Sequence, residues 1–488
     1  MVNGNLARQE HIELPEIPLV KDDPLKWCSV SLKNIFARGK RLDASSFDVE
    51  AKQAYETIYH GKYQTVSLIS EEGPVKDAFY GARLKRNYVD PNYPNAIGFL
   101  GSSEMLDIKP VPIKFMANTS RIKALKVFPN TILLSRSGTI GNLTFVGHTL
   151  SEYLVSEHAI RLICREYPGY VYAFLKSKEG QLLIQSNIFG AVIQEIEPAH
   201  LATIPIPNAP AILKQRINDL VVHSYALRDE SNVLIDEATK LLIEALKLPP
   251  LEELKTSTAP VETFSVKISR SDRRFDASYH VPVVSKIIEQ LQAQAAAEVT
   301  TIGDPRISKE VILPGRFKRV YVEEGHGRVF IGGKQLWELD PTNKKYLSVA
   351  HHAKRIKDQL ELHENMTLIT CSGTIGKIAL VGKHWEHWTA NQHIIRVVPK
   401  SKEIAGYLYI FLASDYGHEL ITRYTYGSVV DEIDDNHVRN ICVPFLKDAA
   451  VQANINELAL AANQKRYEAY KLEQEALQIM NDDVIHAR

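Results

Sequence analysis

One pentapeptide occurs twice in this chain: Ser137-Gly-Thr-Ile-Gly141 returns letter for letter at Ser372-Gly-Thr-Ile-Gly376, 235 positions later. A repeat at so large an offset constrains the fold before any local signal is read, because it implies a duplicated domain. Other pairs follow in the same order. Arg41-Leu-Asp-Ala-Ser45 matches Arg274-Phe-Asp-Ala-Ser278, and Val146-Gly147 matches Val381-Gly382. Ala159-Ile-Arg161 matches Ile394-Ile-Arg396, and "YVYAFL" from Tyr170 matches "YLYIFL" from Tyr407. Glu195-Ile196 matches Glu432-Ile433, and "IPIP" ending at Pro207 matches "ICVP" ending at Pro444. The matches are collinear, so two half-chains share one fold.

Each half ends in a long helical pattern. In the first, Leu213, Ile217, Leu220, Ser224, Leu227, Ser231, Leu234, Ala238, Leu241 and Ala245 alternate by four and three. Val451, Ile455, Leu458, Ala462, Lys465, Ala469, Leu472, Ala476 and Ile479 do the same in the second. That spacing is a coiled-coil seam, and its alternation of large and small residues lets a small layer on one helix admit a large one from the other. The first helix delivers the chain to the second globular unit, so a paired second helix must run back. The pair is therefore expected to be antiparallel, a spacer of roughly 50 Å at the α-helical rise. Lys465 breaks the apolar seam, with its stem packed or its charge reaching solvent.

Within each half, Thr131-Ile-Leu-Leu and Leu143-Thr-Phe-Val predict short strands around the first pentapeptide, repeated by Thr367-Leu-Ile-Thr and Ile378-Ala-Leu-Val. Asp43 and Asp276 are expected as helix N-caps, the second for "VPVVSKIIEQLQAQAAAE". The fold class is α+β: two pseudo-symmetric globular domains separated by a pair of long antiparallel coiled-coil helices. The expected boundaries are an N-terminal extension over 1–27, a first domain over 28–208, and a first spacer helix over 209–248. A linker over 249–263, a second domain over 264–446 and a second spacer helix over 447–488 follow.

Composition excludes several classes. No apolar run approaches the roughly 18 residues that span a bilayer, and the polar start has no signal-peptide core. The four cysteines, Cys28, Cys164, Cys371 and Cys442, lie far apart with no C-x-x-C pair, so a reduced, cytoplasmic protein without a metal site is expected. Net charge is zero, but residues 76–136 hold ten Lys/Arg against four Asp/Glu, and residues 301–360 hold twelve against seven. Such blocks serve as solvated surface or as nucleic-acid contacts.

Catalytic signatures are lacking. Gly376-Lys377 is followed by Ile378, and Cys371 stands where a P-loop has its first glycine. The pentapeptide is then a tight turn whose glycines supply positive φ, or a turn that also touches a nucleic-acid backbone. Asp90-Pro91-Asn92-Tyr93 only approximates the loop of an amino-methyltransferase, and Glu253-Leu-Lys255 has no partner acid for a nuclease. His158 and His393 match across the repeat without an acid or cysteine at ligand spacing in both halves, which favours structural histidines over a metal or a base.

The ordered series R-x-D-A-S, S-G-T-I-G, "VG", "NQHIIRVVP", "YLYIFL", the "IPIP"-type exit and the terminal helix, present twice between about Trp27 and about Met480, resembles type I restriction-modification specificity subunits. The resemblance implies that each half is a target recognition domain and that the chain is no enzyme. It implies a specificity subunit binding an asymmetric bipartite site in double-stranded DNA and directing methylation and cleavage by partner subunits. Two modification subunits would assemble on the helices, through Leu220, Leu227, Leu234, Leu241, Leu458, Leu472 and Ile479. Restriction subunits would join them. S-adenosylmethionine and ATP would belong to those partners, with no cofactor on this chain. The rival reading is a pseudo-symmetric coiled-coil adaptor in a bacterial complex without DNA recognition.

A DNA reader of this form needs cations for phosphates and polar side chains for base edges, with half-sites about 34 Å apart. The candidates in the first domain are Arg83, Lys85, Arg86, Arg121, Arg136, Ser137 and Thr139. Those in the second are Arg316, Lys318, Arg319, Arg328, Lys334, Lys344, Lys345, Ser372 and Thr374. Outside the motifs the halves differ, as in "FYGARLKRNYVDPNYPNAIGFLGSSEM" against "LPGRFKRVYVEEGHGRVFIGGKQLWEL". The spacer, rather than contact between the domains, is expected to set their separation.

Overall fold

The computed structural model describes residues 30, 32–37, 47–81, 83, 85–190, 194–255, 264–268 and 274–487. Asp43, the first R-x-D-A-S copy, Cys28 and the extension over 1–27 lie outside them. Each half builds the same three sheets. In the first, Val75–Phe79, Ala159–Cys164, Ile132–Ser135 and Leu143–Phe145 lie side by side in that order. In the second, Ser308–Ile312, Ile394–Pro399, Thr367–Thr370 and Ile378–Leu380 do so. A smaller sheet orders Tyr88–Val89, Lys114–Ala117, Ala96–Leu100 and Leu154–Val155, its last pair parallel. Tyr321–Val322, Lys345–Ser348, Gly327–Ile331 and Thr389–Ala390 repeat it, parallel pair included. A two-strand ribbon completes each half, Thr65–Ser67 with Pro205–Pro207 and Ala297–Thr301 with Cys442–Leu446.

The duplication extends to single hydrogen bonds. Arg161 and Arg396 are fully buried and, among the described residues, form no ion pair. Arg161 donates to the carbonyls of Ser156, Ala159, Leu125 and Val155. Arg396 donates to the equivalent four, of Asn391, Ile394, Leu360 and Ala390. Burial pulls their pKa down, to about 10 and about 9. Each guanidinium thus ties the turn between the small and central sheets to a helical turn, ending at Leu125 in one half and Leu360 in the other.

Two local expectations fail. Asp276 holds Arg274 and precedes a short 3-10 turn over Ala277–His280, with no side-chain cap bond. The helix itself starts at Pro282 and stops at Ala293. The end of the expected run, Ala297 and Glu298, lies instead in the strand Ala297–Thr301, because Cys442–Leu446 offers it an antiparallel ladder. The chain expected to be linker begins with a helical turn, Leu251–Leu254, both leucines buried in the second domain's core.

The long helices are Ala211–Leu246 and Ala449–Ile479. Their cross-contacts rise in number on one and fall on the other: Arg216 with Glu475, Ser224 with Ala469, Ser231 with Arg466. The pair is antiparallel. At its centre small faces small: the Ser224 hydroxyl donates to the Ala469 carbonyl at 2.8 Å. That bond requires backbones closer than a large-into-small packing allows. Lys465 sends its ammonium to Glu230 at 2.6 Å on the exposed rim. Of the seven expected assembly residues, Leu227 and Ile479 are buried in the protein's own cores. Leu220, Leu234, Leu241, Leu458 and Leu472 are half-buried, each packed against one of the same cores. No described helix is long and apolar enough to cross a membrane.

Each helix ends inside the other domain. Leu246, Leu248, Leu251 and Leu254 join the second domain's core with Ile287 and Leu291. Ile479, Met480, Val484 and Ile485 join the first domain's core with Ala54 and Ile58. The last residues of the chain do for domain one what the inter-domain joint does for domain two. The second helix also carries Glu473, fully buried, in the stripe facing domain one. It accepts from the Tyr172 hydroxyl at 2.6 Å, from Lys176 at 2.7 Å and from Arg228. Burial would raise its pKa, but Lys176 and Arg228 hold it at about 2.

The domains do touch, contrary to the expectation of a bare spacer. The Ile108 N–H donates to the Trp337 carbonyl at 2.9 Å, and Leu339 packs with Leu227 and Ala469 at the midpoint of the helix pair. Asp107 and Glu338 occupy equivalent positions on either side of this seam. Burial raises both to about 7, Lys377 opposing in each case and Lys176 also opposing at Glu338.

Two outcomes are expected. Glu473→Ala, which strands Lys176 and Arg228, should cost about 3–5 kcal/mol in urea unfolding, whereas Lys465→Ala on the rim should cost no more than about 1 kcal/mol. The Glu473 contribution should be complete above the unfolded carboxyl pKa of about 4 and fade as pH falls towards 2. Asp107 and Glu338 have the opposite sign. The unfolded chain releases these protons from about pH 4 upward, while the folded chain keeps them to about 7. Asp107→Asn with Glu338→Gln should therefore raise the melting temperature at pH 8 and leave it near the parent's at pH 4.5.

Candidate nucleic-acid interface

Both pentapeptides cap hairpins, between Ile132–Ser135 and Leu143–Phe145 and between Thr367–Thr370 and Ile378–Leu380. Gly138 and Gly373 sit at φ 78° and 76° with nothing within 4 Å of a added Cβ. The backbone angle alone therefore calls for glycine. Loop N–H groups are used internally: Gly141 donates to the Ser135 carbonyl and Gly376 to that of Thr370, both at 3.1 Å. These amides make a turn rather than an anion cradle. Thr139 and Thr374 are exposed at the tips, and Ser137 and Ser372 are bridged to Glu195 and Glu432.

From each tip a strip of matched side chains runs to the small sheet. Arg83 lies 3.6 Å from Glu195, and Arg316 lies 3.4 Å from Glu432. Arg86 donates to Glu157 at 2.6 Å, and Arg319 donates to Gln392 at 2.8 Å. Arg86 stands 5.1 Å from the Phe99 ring, Phe99 is 6.0 Å from Tyr88, and Lys114 is 5.4 Å from Tyr88. In the second domain Arg319 stands 5.6 Å from Phe330, Phe330 is 6.0 Å from Tyr321, and Lys345 is 5.5 Å from Tyr321. Tyr88 and Tyr321 are 41% and 43% exposed, so each strip presents an aromatic edge between two cations, with Lys85 or Lys318 exposed alongside.

This strip brings together Arg83, Lys85, Arg86 and Ser137, and in the second domain Arg316, Lys318, Arg319, Lys345 and Ser372. It adds Tyr88, Phe99, Lys114, Tyr321 and Phe330, which sequence reasoning passed over. Their signal lay inside the two segments contrasted above as different. Arg83-Leu-Lys-Arg-Asn-Tyr-Val89 and Arg316-Phe-Lys-Arg-Val-Tyr-Val322 share R-x-K-R-x-Y-V.

Other candidates are placed apart. Arg136 is 2% exposed, stacks 4.1 Å over Tyr80 and donates to Glu195 and Glu197. Its guanidinium is spent on the frame, and the equivalent position holds buried Cys371, so neither offers surface charge. Arg328 pairs with Glu361 at 3.1 Å, and Lys344 with Asp340 at 2.5 Å. Arg121 and Lys334 are exposed on 3-10 turns. His158 bonds Ser137 at 2.6 Å, and His393 contacts Gln392 at 3.0 Å. Burial, then Arg319, lowers the His393 pKa and favours its neutral form.

No protein-family model and no curated protein matches the chain. Among solved structures it is similar to a type I restriction-modification system S subunit from M. genitalium. That likeness has 15% identity and a TM-score of 0.32 over 86% of this chain and 98% of the other. It is also similar to an HsdS subunit from Thermoanaerobacter tengcongensis, at 13% identity and a TM-score of 0.27, over 81% and 93%. A third similar chain, from work on complex assembly and conformational transition of the type I R-M system, has 13% identity and a TM-score of 0.25, over 84% and 98%. At such scores the functional reading stands on the chain's own internal symmetry.

Gly138→Ala should destabilise by about 1–2 kcal/mol, the cost of a left-handed residue carrying a Cβ. Gly138→Asn should cost less in the same thermal unfolding experiment, since Asn tolerates that region.

Proposed function

We propose that this chain is a non-catalytic DNA specificity subunit of a type I restriction-modification complex, binding an asymmetric bipartite site. The observation that carries the reading is the same cation–aromatic strip on two domains held by an antiparallel helix pair. Antiparallel pairing of equivalent helices relates the domains by an approximate two-fold axis. A duplex has local two-fold axes of its own, so equivalent protein surfaces can meet its two strands equivalently.

The matched and unmatched residues then divide the work. Arg83, Lys85, Arg86, Lys114 and Tyr88 recur as Arg316, Lys318, Arg319, Lys345 and Tyr321. Identical side chains cannot distinguish two different half-sites, so they suit phosphates and register. Base discrimination falls to residues that differ between the domains, with Glu157 against Gln392 beside the strip as one such pair. The half-buried Leu220, Leu234, Leu241, Leu458 and Leu472 would seat two modification subunits on the helix flanks. Those subunits would bring S-adenosylmethionine, and restriction subunits would bring ATP-driven cleavage, in the cytoplasm.

The test is a randomised-duplex selection with the chain copurified with its native modification partner. Two short motifs at one fixed spacing are expected; one motif or variable spacing would refute the two-domain reader, and no enrichment at low salt would favour a coiled-coil adaptor. Lys85→Glu and Lys318→Glu should each weaken binding to all sequences alike and reduce the slope of log affinity against log salt by about 1.

A further inference from the structure

The second domain carries one cluster of side chains that the common frame of the two halves does not need. His363 and Glu386 lie on separate segments, with the His363 Nδ1 2.8 Å from a Glu386 oxygen. His387 follows Glu386, and its ring centre is 6.0 Å from that of His363. One nitrogen from each imidazole and one Glu386 oxygen all lie within 4.8 Å of one another. We infer that His363, Glu386 and His387 form a divalent transition-metal site with zinc as its ion.

Three properties support it. The ligand set is right: two imidazoles and a carboxylate suit zinc, and three protein ligands leave a fourth position for water. Zinc bonds of about 2.0–2.2 Å draw ligands closer than 4.8 Å, a gap that rotation of the half-exposed imidazoles can close.

The platform is also rigid. The His387 N–H donates to the Leu362 carbonyl at 3.0 Å, and the Leu362 N–H donates to that of Trp388 at 2.8 Å. The second Glu386 oxygen accepts from the Glu364 N–H at 2.6 Å, which orients the carboxylate. His387 itself is held at φ 66°, in the left-handed region that a non-glycine residue rarely occupies.

An outer shell is present as well. The Glu361 carboxylate lies 2.8 Å from the His387 Nδ1 and 3.1 Å from Arg328. A carboxylate so placed accepts a hydrogen bond from the His387 Nδ1–H and leaves the other ring nitrogen free to ligate. Its pairing with Arg328 suits it to this supporting position rather than to the metal.

The first domain shows what the fold does without the cluster. The Glu361–Thr389 bridge is equivalent to the Lys126–Leu154 bridge. In that register Phe128, Ser151 and Glu152 stand in place of His363, Glu386 and His387. The frame closes equally well there with none of these three ligand residues. A metal would clip the segment at 361–364 to the segment that leads into Thr389–Ala390, the edge strand beside Phe330 and Ile331. The second domain's small sheet would be stiffened by the ion and the first domain's would not.

The full-length, tag-free chain is titrated with zinc by calorimetry, and with cobalt(II) as a visible-absorption probe. Saturable binding of one ion per chain is expected, with cobalt d–d bands and a higher melting temperature on adding zinc. His363→Phe with Glu386→Ser, which copies the first domain, should abolish the stoichiometric binding and the thermal shift. Should that variant fail to match the parent's melting temperature in chelator, Glu386→Gln, nearly isosteric, is read instead and should give the same loss. Glu361→Gln should weaken binding by about 10–100-fold. Absence of one-to-one binding in the parent, or its persistence in the folded variant, would overturn the site.

Discussion

The close approach of the two long helices sets nearly every other distance in the molecule. At the centre, Ser224 reaches the Ala469 carbonyl across the seam, which large residues at those positions would prevent. With the backbones that near, both helices still have a second face for their globular units. The side-chain carbonyl of Asn218 accepts from the Gly169 N–H at 2.9 Å, and that of Asn456 accepts from the Gly406 N–H at 2.8 Å. A Cβ at Gly169 or Gly406 would come within 2.7 or 2.5 Å of the long-helix backbone. Small residues thus allow three layers to lie close together: domain, own helix, partner helix.

Because each helix also ends inside the opposite domain's core, the two domains are not independent beads. Unfolding one strips apolar cover from the other's terminal helical turn. Glu473 reinforces this dependence, since among the described residues its carboxylate is satisfied by groups from the first domain and the first helix. Its equivalent in the first helix is Ile235, an apolar residue buried in the second domain's core. The pseudo-symmetry is therefore a symmetry of backbone and core, with charge deployed differently on the two sides. The same holds at the domain seam, where Asp107 and Glu338 face each other across a contact that favours their protonated forms.

This division bears on function. On the proposed reading, a duplicated frame with a shared cation–aromatic strip would provide two similar footholds on a polyanion, and divergence around them would provide room for two specificities. The His363, Glu386 and His387 cluster belongs to the divergent part, as do Arg136 and Cys371.

Periodicity and repetition were sufficient to establish the architecture, because both are local or self-referential signals. The 4-3 alternation marks helices, the duplicated "SGTIG" marks hairpin tips, and chain connectivity alone requires that the helices run antiparallel. Sequence patterns also pointed to Arg83, Arg86, Arg316 and Arg319. What they could not decide are contacts between residues far apart in the chain. Nothing in "KLEQEAL" says that Glu473 is buried, since that depends on Lys176 and Arg228 arriving from elsewhere. A basic run marks Arg136 as a surface cation, until Glu195 and Glu197 fold against it. His363 and His387 lie in separate segments, and only strand pairing brings their rings together. The tail "AAAE" reads as helix by propensity, yet its last two residues, Ala297 and Glu298, become strand because Cys442–Leu446 pairs with them. Local chemistry determined the elements; tertiary packing decided which charges are buried and which side chains meet, because burial and pairing depend on the whole chain.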